Sequence, residues 1–554
     1  MPSLFTSLKS VPVDLNHTAI IIPSEASPTI LSHRQFRDQV LLFQQKLAAS
    51  GIGPRSVVAI AQTNTLDFAV AFLAITFQRA IAAPLNPAYK QEEFEFYLDD
   101  LKAALLLVPQ GSIKDESGAV KAARTCGAGV AEIYWDGDEV VLDLGERGHL
   151  ESREHWHTAT PEDNDIALIL HTSGTTGRPK IVPLTHKNLT TTILNIQTTY
   201  ALTSEDRTLL VMPLFHVHGL LAGLLTPLMT GGSIIIPARF SASGFWRDFI
   251  AHKANWYTAV PTVHQILLKS PLPTPMPAIR FIRSCSSPLA PTISRQIELL
   301  FNAPVLEAYA MTEAAHQMTS NPLPPGIRKA GSVGTPQGIG LIVADDDGNP
   351  VPRNQVGEVC VQGENVTSGY LGDPKVVQSP FTDRGYLRTG DQGYLDNEGY
   401  LILTGRIKEL INKGGEKISP IEIDNTFAQH PGILEAVSFA IDDELYGQEV
   451  AVAIVRRDNF ELSTEQLLSW FGEKAAKFKI PKKVYFTENM PKTATGKVQR
   501  RLVAQAMMEQ EKKIVEDKET ARINEKSEMK MPTANVVALD HITHESPNMN
   551  IAVA

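Results

Sequence analysis

Between residues 32 and 108 the chain alternates between two hydrophobic periods, and that alternation leaves few architectures open. Apolar residues recur at helical spacing over 32–50, until Gly51-Ile52-Gly53-Pro54 stops the run. Residues 57–61 read as a short apolar strand, 66–79 as a helix, a further strand ends at Pro84, 91–101 reads as a helix and 103–108 as a strand. Parallel strands need crossover connections, and crossover helices bury both faces of the sheet they join. The pattern therefore predicts an α/β fold with a largely parallel sheet. More strands of the same kind are predicted at 166–170, 208–212, 233–236, 256–259, 280–284 and 305–307. Residues 130–161, polar and aperiodic, are predicted to form a surface excursion.

From 331 to 404 the texture changes to short alternating runs separated by Asp346-Asp347-Gly348-Asn349, Asp383-Arg384-Gly385 and Asp396-Asn397-Glu398-Gly399, which predicts antiparallel strands in a β-rich subdomain. Charge density rises at Gly405-Arg406-Ile407-Lys408-Glu409, and residues 409–507 follow with a helix and strand pattern of their own, enough for a small α+β domain. Residues 508–554 are dense in Glu and Lys at first and then lack any period, which predicts a solvated helix leading into a disordered tail. A chain of 554 residues exceeds what one core supports, in keeping with residues 1–404 as a large domain of layered α/β sheets and a smaller one after it.

The formal net charge of -10 argues against nucleic acid or an anionic membrane as a general partner. Cys126, Cys285 and Cys360 have neither disulfide-framework nor zinc spacing. The most apolar region, 209–237, is broken by Pro213, His216, His218, Pro227 and Gly231-Gly232, so a buried strand, loop and helix are expected there instead of a membrane span. No secretory signal opens the chain and no Ser-Lys-Leu type of address closes it, so a cytoplasmic protein is expected.

The apolar run 166–170 leads into His171-Thr172-Ser173-Gly174-Thr175-Thr176-Gly177-Arg178-Pro179-Lys180. Open α/β sheets bind ligands at such strand ends. Glycines let backbone N–H groups approach an anion, the hydroxyls of Thr172, Ser173, Thr175 and Thr176 add donors, and Lys180 adds charge, so the loop is expected to cradle a polyphosphate. It is not a Walker A loop, because Pro179 precedes Lys180 and removes a donor where that motif runs into a helix. A flexible Gly/Ser/Thr linker is the competing reading. Tyr309-Ala310-Met311-Thr312-Glu313 ends a strand on a carboxylate suited to Mg²⁺ on a polyphosphate. Arg388-Thr389-Gly390-Asp391 sets a carboxylate after a glycine turn, and Gly405-Arg406 adds a second candidate contact for ribose hydroxyls. Pro491-Lys492-Thr493-Ala494-Thr495-Gly496-Lys497 places a lysine at another glycine turn.

In this order the motifs resemble those of the adenylate-forming (AMP-binding) superfamily of acyl-CoA synthetases, luciferases and peptide-synthetase adenylation domains, over residues 20–505. The resemblance implies that Thr172, Ser173, Gly174, Thr175, Thr176, Gly177 and Lys180 form the phosphate loop, with Ser286, Ser287 and Pro288 on the adenine side and Tyr309 and Thr312 against the nucleotide. Glu313 is implied as the Mg²⁺ ligand, Asp391 and Arg406 as ribose contacts, and Lys497 as the lysine that drives adenylation; Lys180, Thr312 and Glu313 share the catalytic work. It further implies a hinge over 405–408 at Lys408, a mobile C-terminal domain, and Gly414-Gly415 on the face used in the CoA phase. The implied reaction is that of an ATP-dependent acid:CoA ligase using ATP, Mg²⁺ and CoA, through an acyl-AMP and pyrophosphate.

Peptide-synthetase domains hold the substrate amine with an aspartate, whereas Pro213-Leu214-Phe215-His216-Val217-His218-Gly219 offers no carboxylate and no carrier domain follows, so an amino acid is disfavoured and free CoA is the expected acceptor. The likeness is greatest to the oxalyl-CoA synthetase and 4-coumarate:CoA ligase-like branch, through residues 215–223, Arg283-Ser284-Cys285-Ser286 and residues 311–324. It implies an acid pocket at His216, Ser284, Ala310 and His316. Two alternatives remain open: an adenylating enzyme that loads a carrier protein, and a non-catalytic nucleotide-binding scaffold acting through the tail.

Overall fold

The structure is a computed structural model that describes residues 3–11, 13–172, 179–372, 380–457, 460–492 and 498–528. The chain divides into two compact units, Met1–Val503 and Ala504–Ala554. Of the second unit, residues 504–528 are described and all lie in the helix Arg500–Glu528, which begins earlier than the charge pattern alone predicts.

Among the described residues the first unit carries four sheets. The seven-stranded sheet runs, edge to edge, through Val140–Glu146, Gly129–Trp135, Leu105–Pro109, Val57–Ile60, Ile81–Pro84, Ile166–Thr172 and Lys180–Thr185; it is parallel except at its two outermost strands. The nine-stranded sheet has a parallel centre, Thr18–Ile22, Ser233–Ile235, Arg207–Leu209, Trp256–Ala259, Phe281–Ser284 and Val305–Met311, with antiparallel strands beyond it. The parallel α/β core is thus as the hydrophobic periods predict. The excursion predicted over 130–161 is not: Gly129–Trp135 and Val140–Glu146 pair there as an antiparallel edge. Val140, Leu142 and Leu144 alternate inward while Asp143 and Glu146 face out, and an edge strand buried on one side tolerates the polar residues that disguised it.

The helix Leu66–Phe77 is buried along its whole length, because it lies in a core cluster fed by residues of both large sheets. Thr65 caps it by accepting from the Phe68 N–H at 3.2 Å. Phe68, Phe72 and Phe77 each contribute about 1.5–3 kcal/mol through removal from water. The one carboxylate inside it, Asp67, is raised to about 6 by that burial. The region 209–237 folds as loop, helical turns over His218–Leu225 and Thr226–Met229, and a strand. No helix among the described residues is long and apolar enough to cross a membrane.

The four-stranded antiparallel sheet comprises Gly340–Ala344, Gly357–Gln362, Leu387–Leu395 and Leu401–Arg406. Asp391 stands inside one of its strands and not after a tight turn; Gly390, at φ +73°, sits in a bulge of the ladder. The fourth sheet, built from Glu416–Ile418, Ile411–Lys413, Gly447–Arg456, Ile433–Asp443 and Lys483–Phe486, packs on the helices Pro420–Phe427 and Thr464–Gly472, whose Phe427 and Phe471 rings stack at 4.4 Å. The molecule is therefore a large N-terminal α/β region, a β-rich portion and a small α+β region.

Candidate active site

A strand end of one large sheet, at Thr172, meets the turn after a strand of the other, at Glu313, and the candidate residues fall into three clusters. At the first, Thr172 and Lys180 face each other across an antiparallel pair, so residues 173–179 connect the two strand ends. Ser173, Gly174, Thr175, Thr176 and Gly177 lie outside the described residues, as does Lys497; Lys492 and Val498 pair in a β-bridge flanking the latter stretch. Glu313, in the turn Thr312–Ala314, is buried. Its Oε1 accepts from the Tyr370 hydroxyl at 2.9 Å and, at the long limit, from Thr172 Oγ1 at 3.5 Å. Lys180 Nζ lies 4.4 Å from the centre of the Tyr370 ring. Tyr370 thus ties Lys180 to Glu313, and nothing in its sequence surroundings, Ser368-Gly369-Tyr370, marks it for that place.

The second cluster forms around Asp391. Tyr309 donates its hydroxyl to Asp391 Oδ2, and Arg406 Nε lies 2.9 Å from Oδ1. Arg406 is opposite Asp391 in the ladder, so the pair follows from register. Asp391 holds the Arg406 guanidinium above its ordinary pKa, while burial and the neighbouring carboxylate push the Tyr309 hydroxyl up. Just past the strand Phe281–Ser284, which pairs with the strand of Tyr309, Ser286 adopts φ +73°, Ser287 donates to the Ser286 carbonyl at 2.8 Å, Pro288 is exposed, and the Leu289 N–H donates to Glu307 Oε1 at 3.0 Å. Glu307 therefore clamps the segment that carries Ser286 to Pro288.

Burial raises the Glu307 carboxyl to about 8, against an opposing pull from the Leu289 N–H. The folded chain then keeps a proton that the unfolded chain has already lost near 4.5. Its stabilisation is full below that value and disappears as pH rises through about 8. Glu307→Gln is expected to flatten this dependence: between about pH 5 and 8 the wild-type melting temperature should fall more steeply than the variant's. Parallel declines in thermal melts would refute the assignment.

The third cluster is the most buried. Arg283, Ser284, His218 and His316 are 0%, 0%, 2% and 1% exposed. Arg283 donates Nε–H to the Tyr200 hydroxyl at 2.8 Å, one Nη to Thr258 Oγ1 at 3.2 Å and the other to Gln317 Oε1 at 3.3 Å. His218 bridges Ser286 Oγ at 3.0 Å and Thr258 Oγ1 at 2.6 Å, and its ring stacks on His316 at 5.2 Å. Burial, then the Arg283 charge, holds both imidazoles well below their ordinary pKa, so both are neutral at pH 7. His316 Nε2, buried here, and Ser284 Oγ have no hydrogen-bond partner among the described residues. The sequence singles out Ser284 and His316; the structure places His316 beside His218, while strand alternation turns the Ser284 side chain to the face opposite Arg283. Ala310, half-buried, lies at the end of the adjacent strand. His216 is exposed, and the histidine inside the cluster is His218, which opens the fully buried helical turns His218–Leu225. Arg283 is not among the residues implied for the pocket, although an arginine within the apolar run Phe281-Ile282-Arg283-Ser284 is itself a signal.

In the small region, Gly414 and Gly415, at φ +57° and +97°, form the two-residue turn between Ile411–Lys413 and Glu416–Ile418. Lys408 is exposed in the turn Ile407–Glu409. Across it, Ser419 donates its hydroxyl to the Thr404 carbonyl, and Arg500 pairs with Asp424 at 2.6 Å and Glu409 at 3.4 Å.

Comparison with known proteins agrees with this geometry. The family model of AMP-binding enzymes matches residues 10–371, and that of the AMP-binding enzyme C-terminal domain matches 422–497. An oxalate–CoA ligase of Saccharomyces cerevisiae is 46% identical, covering 90% of this chain and 98% of that protein. A sulfoacetate–CoA ligase of Cupriavidus necator is 36% identical, covering 82% and 88%. The crystal structure of ATP-bound MatB from Rhodopseudomonas palustris superposes with a TM-score of 0.83 at 29% identity, over 91% of this chain and 99% of that one. The chain belongs to the AMP-binding enzyme family, as an ATP-dependent, AMP-forming acid:CoA ligase.

Proposed function

We propose that the acid is a short dianion, with oxalate the first candidate, and that Arg283, His218 and His316 select it. The observation that carries this is the buried Arg283 guanidinium: among the described residues no carboxylate pairs with it. A buried charge costs several kcal/mol unless it is paired, and three neutral acceptors do not cancel it. A second carboxylate on the substrate would. The orphaned His316 Nε2 supplies hydrogen-bonding capacity near it, and a neutral imidazole can donate without adding a cation of its own. The two ligases quoted above are named for oxalate and sulfoacetate, both small dianions.

The remaining residues fit the nucleotide. Asp391 accepts from ribose hydroxyls while Arg406 and Tyr309 fix its orientation, and Lys180 places a cation at the phosphate end. The donor set at Glu313 suits Mg²⁺, a hard cation that takes one or two carboxylates together with substrate phosphates; its second oxygen has no hydrogen bond among the described residues, and no group of three or more His, Cys, Asp and Glu side chains there could form a cage. Bound there, Mg²⁺ would neutralise charge on the departing pyrophosphate. A substrate carboxylate oxygen bonds to the α-phosphorus as the bond to the bridging oxygen breaks, and pyrophosphate leaves with that electron pair. The CoA thiolate then bonds to the carbonyl carbon of the acyl adenylate, AMP leaves, and the thiol proton passes to solvent. Lys497 is assigned to the first step, and rotation about Lys408, bringing Gly414-Gly415 forward, to the second.

The purified protein is tested with ATP, Mg²⁺ and CoA against oxalate, malonate, succinate, cinnamate and a medium-chain fatty acid, following pyrophosphate and thioester. Oxalate is expected to give the highest kcat/KM, with both products in equal amounts. Preference for cinnamate or the fatty acid would overturn the dianion reading.

A further inference from the structure

The turn that carries His218 is held at its root by a residue from the opposite sheet. Asn64 follows the strand Val57–Ile60 of the seven-stranded sheet and immediately precedes Thr65, the cap of the buried helix Leu66–Phe77. Its side-chain amide grips the backbone of the other sheet twice: Nδ2 donates to the Met212 carbonyl and Oδ1 accepts from the Leu214 N–H, both at 2.9 Å. Met212 and Leu214 are both buried and belong to different core clusters, so the grip falls where the chain passes from one core to the other.

Beyond Leu214 little slack remains. The His216 N–H bonds the Pro213 carbonyl at 3.3 Å and the Leu220 N–H bonds the His216 carbonyl at 2.9 Å. A Cβ on Gly219 would stand 2.2 Å from the Pro213 carbonyl oxygen, so the far end of the turn is pressed onto its own beginning. Fixing residues 212 and 214 therefore fixes His218, whose two nitrogens meet Ser286 and Thr258. Loss of the amide would leave a buried carbonyl and a buried N–H without partners, and the root would shift to find them.

We infer that Asn64 is a positioning residue for the acid pocket and tunes selection among acids, without touching the acid itself. This rests on the assignment of the Arg283 and His218 cluster to the acid. Only an amide satisfies both backbone groups: the carboxylate of an Asn64→Asp variant could still accept from Leu214 but could not donate to Met212, and the methyl group of an Asn64→Ala variant does neither.

The test compares Asn64→Ala and Asn64→Asp with wild type in the full-length protein, using oxalate, malonate and succinate at saturating ATP, and ATP at saturating acid. Asn64→Ala is expected to lower kcat/KM for the preferred acid about tenfold and to compress the ratio between that acid and its next homologue at least about threefold, with KM for ATP within about twofold. Asn64→Asp should fall between. Thermal melts establish that each variant is folded, and Asn64→Asp carries the test if Asn64→Ala does not fold. An unchanged acid ratio in folded variants, or equal rises in KM for acid and for ATP, overturns the inference. A wild type that prefers some other acid defeats the dianion reading alone, since the ratio is then measured around that acid.

Discussion

Arg283→Met is expected to lower kcat/KM for oxalate by about two to three orders of magnitude while leaving the melting temperature nearly unchanged or slightly raised. The two effects separate because the arginine has different partners in the two states. In the free protein its charge is buried among Tyr200, Thr258 and Gln317, all neutral, so the fold gains little from it beyond hydrogen bonds of about 1 kcal/mol each. Methionine forfeits those bonds and also removes the desolvation cost of the cation. In the complex the guanidinium faces a carboxylate in a dry site, where truncating one partner of a buried charged pair costs about 2–5 kcal/mol. The variant's discrimination against monocarboxylates should shrink accordingly, and Arg283→Lys, which keeps the charge but not the fork, should lie between. Equal loss toward oxalate and a monocarboxylate, with KM for ATP rising in step, would show a structural role only.

Much of the architecture was legible because it rests on short-range patterns. The strand Trp256–Ala259 and the helix Gln91–Leu101 declare their periods in the residues themselves, and parallel strands buried on both faces leave apolar runs that little else produces. The edge strand Val140–Glu146 was not legible, since one solvated face gives it the composition of a loop. The clusters divide the same way. Glu313 and Asp391 stand out as carboxylates closing recognisable motifs, whereas their meeting with Tyr370 and Tyr309 depends on contacts 57 and 82 residues apart in sequence. His216 and His218 are indistinguishable by type; that His218 is the buried one follows from its place at the start of the packed turns His218–Leu225, which neither histidine's immediate sequence declares. Arg283 is legible only as an exception, a cation where the apolar period demands a hydrophobic residue, and its meaning depends on the neutral partners that surround it.

Glu313→Gln is expected to reduce acid-dependent ATP–pyrophosphate exchange at least about a hundredfold, with a markedly smaller effect on thioester formation from a preformed acyl adenylate and CoA. The amide oxygen can still accept from Tyr370, so the link toward Lys180 is kept and the lost element is the negative charge. That charge matters to a hard divalent cation shared with phosphates, because the ion binds few protein ligands and one carboxylate is a large part of its protein-side attraction. The Mg²⁺ concentration for half-maximal exchange should therefore rise, and excess Mg²⁺ should recover part of the rate. Tyr370→Phe keeps the charge and removes the hydrogen bond that aims it, so its loss should be nearer tenfold with little change in Mg²⁺ requirement. The contrast between the two variants separates charge from orientation: a Glu313→Gln enzyme with a wild-type Mg²⁺ requirement would place the cation elsewhere, and equal losses in both half-reactions would make Glu313 a support for the surrounding turn instead of a ligand.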